Sequence, residues 1–139
     1  MIAPVYGGTF SEYYPGADVV DWMGLDGYNW ATSKSVPWYS FREIFEQSLE
    51  HMAQINTTGK KVLICETGCH DQGGDKEAWF RNMEDYLKNN RPEVAALIYQ
   101  HKNTSVAHWR VDYPQAALDD YKLIVKDARF QATLPAAVG

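Results

Sequence analysis

Short apolar runs alternate with amphipathic segments along this chain, and that alternation leaves few folds open to it. Residues 2–6, 19–28, 62–65 and 94–99 are apolar stretches bounded by Gly, Pro or polar clusters, and they read as strands. Between them lie helices with their own start and stop signals. Ser40 and Glu43 form an S-x-x-E capping box ahead of Phe41, Ile44, Phe45, Leu49, Met52 and Ile55 at helical spacing, and Gly59 closes that segment. Residues 75–90 set Trp79, Phe80, Met83, Tyr86 and Leu87 on one face, with Pro92 beyond their end. Pro114 suits the first position of a last helix that turns Ala117, Leu118, Tyr121, Ile124 and Val125 inward.

Strand, helix, strand, helix is the order of βα units, so the expected fold class is α/β with a parallel sheet. The near-continuous apolar run at 62–65 predicts strands buried on both faces. A chain of 139 residues suits one domain, with residues 129–139 expected as a frayed tail. A closed (β/α)8 barrel takes about 250 residues. Three or four parallel strands leave open apolar edges, so self-association as a homodimer, or membership of a larger fold, is expected to cover them.

The charge balance narrows the partners. With 13 Lys plus Arg against 18 Asp plus Glu, the chain lacks the basic footprint of a nucleic-acid or anionic-membrane binder. No apolar run approaches a membrane span, and residues 1–9 lack the pattern of a signal peptide. Cys65 and Cys69, with His70, His101 and His108, follow no recognised zinc spacing, so no metal and no cofactor are expected. Gly73-Gly74-Asp75 lacks the Lys-Ser/Thr of a phosphate loop and reads as a plain helix start.

Ligands of parallel α/β folds lie at the carboxyl ends of the strands. One run ends in Asp26-Gly27-Tyr28-Asn29-Trp30, and period-two alternation puts Gly24, Asp26 and Tyr28 on one face. A second runs into Glu66, which alternation sets beside Val62 and Ile64, with Cys65 turned towards the helices. The third runs into Gln100-His101-Lys102. A carboxylate ending an apolar strand needs partners if buried, which singles out Glu66; a Glu simply entering solvent is the plain alternative. Of 19 Phe, Trp and Tyr residues, 11 fall within the first 45 positions, as a large core or as a surface for stacking.

The segment Tyr13-Tyr14-Pro15-Gly16-Ala17-Asp18-Val19-Val20-Asp21-Trp22-Met23-Gly24-Leu25-Asp26-Gly27-Tyr28-Asn29-Trp30 resembles a stretch of glycoside hydrolase family 26, the β-mannanase-like retaining enzymes built on a (β/α)8 barrel. The similarity continues through Trp38 to Phe45, Val62-Leu63-Ile64-Cys65-Glu66-Thr67-Gly68, Gly73 to Trp79 and Trp109-Arg110-Val111-Asp112, in the family's order. The resemblance implies a half-barrel equivalent to strands five to eight. It implies Glu66 as catalytic nucleophile, Tyr28 as the group that orients it, and Trp109 as an aromatic of the sugar site, core packing being the alternative for the two aromatics. Asp26, Asn29, Trp30 and His101 would line the substrate. Retaining hydrolysis needs a second carboxyl about 5 to 5.5 Å away as acid/base. The family carries it on the fourth strand, upstream of every matched motif, so the chain is expected to be inactive alone on mannan-like β-linked polysaccharides. A homodimeric barrel, in which His101 falls near the acid/base position, and a non-catalytic carbohydrate-binding protein are the alternatives.

Overall fold

The computed structural model describes residues 10–132. The elements run α1 (Phe10–Tyr13), β1 (Trp22–Asn29), α2 (Phe41–Ile55), β2 (Lys61–Cys69), α3 (Lys76–Asn89), β3 (Val94–Tyr99) and α4 (Gln115–Ile124), with 3-10 turns at Ala31–Lys34 and Ala128–Phe130. The expected strand at 2–6 lies outside the described residues, as does the tail from 133 onward. Arg129, where that tail begins, sits in the second 3-10 turn and donates to the carbonyl of Val94. α1, a single turn, had no signal in the sequence beyond the burial of Phe10.

The helices start where their caps dictate. Ser40 Oγ accepts from the Glu43 N–H at 3.2 Å, and the Glu43 carboxylate accepts from the Ser40 N–H at 2.7 Å, closing the capping box of α2. Asp75 caps α3 one way only, its carboxylate accepting from the Ala78 N–H at 2.8 Å. Pro114 is the N-cap of α4 rather than its first residue, and its carbonyl accepts from the N–H groups of Ala117 and Leu118.

α2 and α3 bury most of the stripes their spacing foretold, whereas of the five α4 residues expected inward only Ala117 and Ile124 are buried and Leu118, Tyr121 and Val125 stay partly exposed. Phe41, Phe45, Leu49 and Met52 of α2 meet Trp79, Phe80, Met83, Tyr86 and Leu87 of α3, and Ala117 and Ile124 of α4 complete the layer. At roughly 1.5–3 kcal/mol for each fully buried large side chain, this stripe outweighs any capping term. Phe41 stacks at 4.6 Å from Phe45 and 5.3 Å from Trp79, so much of the aromatic content is core.

The three strands form one parallel sheet in the order β1-β2-β3, each beside its chain predecessor. That sequential parallel order is consistent with successive βα units of half a barrel. Met23 and Leu25 of β1, Val62 and Ile64 of β2 and Val94 of β3 join the helical core. The opposite face is not covered by the described residues: Gly24, Asp26, Leu63 and Cys65 are partly exposed, and Ile98 is 56 % exposed. Among the described residues the strands are covered on one face, because all three helices contribute to a single layer. β2 also outlasts the expected 62–65, since pairing of Tyr28 with Gly68 and of Asn29 with Cys69 extends the ladder through residues that read as loop.

α2 can approach β1 closely only because residue 27 has no side chain. A Cβ on Gly27 would lie 2.7 Å from Ile44 Cγ2 and from Phe45 Cζ. Gly27→Ala is expected to lower unfolding free energy by about 1–3 kcal/mol, read from urea midpoints with an unchanged denaturant slope.

Candidate active site

One irregularity in the sheet decides where Glu66 points. Leu25 pairs with Ile64, but the next pair is Asp26 with Glu66, which leaves Cys65 as an extra residue on β2. Such a bulge breaks the alternation of side chains and re-aims whatever follows it. Cys65 Sγ lies against Gly24 on the open face, and Glu66, one residue later, stays on that same side and is exposed. The bulge corrects the expected placement of Glu66 beside Val62 and Ile64; Cys65, expected towards the helices, lies on the open face because Val62 and Ile64 take the helix side and plain alternation from Ile64 turns Cys65 away from it.

The re-aimed carboxylate meets Tyr28 of β1. The Tyr28 hydroxyl donates to Glu66 Oε2 at 2.7 Å. Burial and this bond to an anion push the phenol well above its ordinary value, so it remains a proton donor at any physiological pH. Asp26 lies on the same face, in register with Glu66. Burial first, and then the charge of Glu66, raise its carboxyl above the usual range, while a bond from the Glu66 backbone opposes them. Its Oδ1 is buried without a hydrogen-bond partner among the described residues, as expected of a carboxyl whose ionisation is disfavoured.

Three aromatics form the wall beside this pair. The Tyr28 ring lies 5.4 Å from Trp30 and 4.9 Å from Trp109, and Trp30 and Trp109 meet edge to face at 4.9 Å. Tyr28 and Trp30 are partly exposed, whereas Trp109 is 2 % exposed and supports the other two from behind. Lys34 holds its ammonium 3.6 Å from the Trp30 ring centroid and so covers one face of that indole. The stack depends on Gly68: a Cβ there would lie 3.1 Å from both Trp109 Cε3 and Tyr28 Cδ1. Gly68 stood in the sequence as a motif glycine with no role assigned, and only the register of β2 against β1 reveals it.

The remaining expected site residues are placed elsewhere. Asn29 is fully buried on the helix side, where its Oδ1 accepts from the Tyr39 N–H at 3.1 Å and its Nδ2 faces Cys69 Sγ at 3.5 Å. His101 is exposed, and its Nδ1 accepts from the Val111 N–H at 3.1 Å in the loop that carries Trp109. Among the described residues no group of three or more His, Cys, Asp or Glu is arranged to hold a metal ion.

The Glu66 carboxylate, with one oxygen bonded by a phenol, thus stands on the open face of the sheet beside two partly exposed aromatic rings. The chain is similar to Endoglucanase H of Acetivibrio thermocellus, with 30 % identity over 118 residues, or 84 % of this chain and 13 % of that protein. The chain therefore shares ancestry with a stretch of a glycoside hydrolase, and it spans a small fraction of that relative's length. No family model matches it.

The raised Asp26 carboxyl has a consequence for stability. A folded-state value above the unfolded one means the folded chain binds the proton more tightly, so folding loses stability as the pH rises through that window. Asp26→Asn is expected to raise the melting temperature by a few degrees at pH 7 and to give no gain at about pH 4 or below, measured by thermal unfolding at both pH values.

Proposed function

We propose that this chain supplies the nucleophile side of a retaining glycoside hydrolase acting on β-linked polysaccharides, with a family 26-like half-barrel as its framework. The observation that carries the reading is the 2.7 Å bond from Tyr28 to the exposed Glu66 carboxylate. It immobilises one oxygen and leaves the other free to attack an anomeric carbon, forming a glycosyl ester as the bond to the leaving group breaks. Tyr28 and Trp30 are the partly exposed aromatics available to pack against the C–H faces of the sugar, and Trp109 packs against both. Mannan-like chains follow from the motif resemblance, and β-glucans from the name of the relative.

In this reading the acid/base carboxyl comes from a complementary set of βα units. A second copy of the chain is the partner we propose, since among the described residues β1 and β3 are the outer strands of the sheet and carry Trp22 at 47 % and Ile98 at 56 % exposure. Static light scattering is expected to give about twice 15.8 kDa, and a mass of one chain at micromolar concentration contradicts the pairing.

A glycosyl fluoride tests Glu66 without any acid catalyst, because fluoride leaves with its electron pair and needs no proton. Incubation with 2-deoxy-2-fluoro-β-mannosyl fluoride, or with its gluco isomer, is expected to add one fluoroglycosyl group that peptide mapping places on Glu66. Glu66→Gln should take up none, and Tyr28→Phe should label on the order of 10-fold more slowly, as expected for loss of a hydrogen bond to a charged group. No adduct from either sugar would falsify the nucleophile role.

A further inference from the structure

Residues 100–113, between β3 and α4, carry Trp109 to the site; two bonds tie that loop to side chains outside it and a third, from its own His101, braces it internally. The His108 N–H donates to His70 Nδ1 at 3.1 Å, the Val111 N–H donates to His101 Nδ1 at 3.1 Å, and Lys76 Nζ donates to the Arg110 carbonyl at 2.6 Å. These bonds fall on either side of Trp109, whose own N–H donates to the Lys102 carbonyl at 3.1 Å. A backbone N–H can only donate. Both imidazoles must therefore present a bare Nδ1, which fixes them in the neutral form with the proton on Nε2.

The surroundings of His70 hold an alternative partner. Its side chain is buried at 6 % residue exposure, and Asp71 Oδ1 lies 3.4 Å from its Nδ1, buried and without a hydrogen-bond partner among the described residues. The other Asp71 oxygen faces His108 Nδ1 at 3.4 Å, and the His70 and His108 rings are 5.8 Å apart. The Lys76 ammonium faces Asp71 and Asp112, and on the His101 side the charge nearby is Asp112, itself bonded by Arg110. A proton on His70 Nδ1 would turn an acceptor into a donor, and the orphaned Asp71 oxygen is within reach to receive it.

We propose that His70 and His101 are positioning residues that hold Trp109 against Tyr28 and Trp30 in their neutral, Nδ1-accepting form, and that protonation hands His70 to Asp71 and frees the loop. The significance for sugar binding rests on the proposed function, but the latch itself is testable without any sugar. The chain contains five tryptophans, which 5-fluorotryptophan labelling resolves by fluorine NMR, with Trp109→Phe and Trp30→Phe providing assignments. From pH 8 to about pH 5, across the range where imidazoles take up protons, the Trp109 and Trp30 signals are expected to shift or broaden together while that of the core residue Trp79 stays put.

Asn offers an acceptor oxygen near the Nδ1 position that does not titrate. The double variant His70→Asn/His101→Asn is therefore expected to keep the pH 8 spectrum throughout the titration. His101→Leu, at an exposed position, is expected to displace the Trp109 signal already at pH 8, and His101→Asn to leave it in place. That pair decides the matter if the double variant does not fold. A Trp109 signal unmoved by both acid and His101→Leu, or one that moves with pH equally in the Asn variants, overturns the latch. Failure of every variant to bind oligosaccharide, with the fluorine response intact, counts against the proposed function alone.

Discussion

An extra residue in β2 governs the geometry of the open face. Without the bulge at Cys65, regular alternation would send the Glu66 side chain into the layer occupied by Val62 and Ile64, where a carboxylate has no counterion and its burial would cost several kcal/mol. With it, the carboxylate emerges on the open side and meets the hydroxyl of Tyr28 from the neighbouring strand. The same shift brings Gly68 opposite Tyr28, and the missing side chain at Gly68 is what lets Tyr28 and Trp109 lie against the strand. A local fault in hydrogen-bond register therefore sets the nucleophile candidate, its orienting group and the aromatic wall together.

The two faces of the sheet divide the work of the chain. One face is a packed layer of large side chains from α2, α3 and α4, which fixes the strands and their register. The other carries Asp26, Tyr28, Cys65 and Glu66, a set of polar and titratable groups that a closed core would not tolerate. The packed side holds the strands on which Asp26 sits, and there burial first and the neighbouring Glu66 charge second raise its carboxyl above the usual range.

Much of this was legible in the residues, for identifiable reasons. The helices announce themselves because capping boxes and 3.6-residue stripes are local signals, and Ser40, Glu43 and the α2 and α3 stripes fall where those rules put them. The shared face of Gly24, Asp26 and Tyr28 follows from an unbroken strand. The orientation of Glu66 does not, because a bulge arises from the pairing of two strands and leaves no mark in either one read alone. The length of β2 escaped for the same reason: Thr67 to Cys69 are strand only because β1 and the Gln100 N–H, 2.8 Å from the Thr67 carbonyl, supply partners. Trp109 reads as a ligand-facing aromatic in sequence, and its burial behind Tyr28 and Trp30 depends on a loop fold that no periodicity encodes.

We propose that Glu66, Tyr28 and Trp30 form one sugar-facing surface on the open side of the sheet. Amide and indole chemical shifts followed during titration with β-1,4-mannohexaose, and separately with cellohexaose, test it most directly. The account predicts that one of the two sugars moves the Glu66 and Tyr28 amides and the Trp30 indole N–H with a common binding curve, while Trp79 and the α2 amides stay fixed. Shifts confined to other surfaces, or none at millimolar concentrations of either sugar, would contradict it.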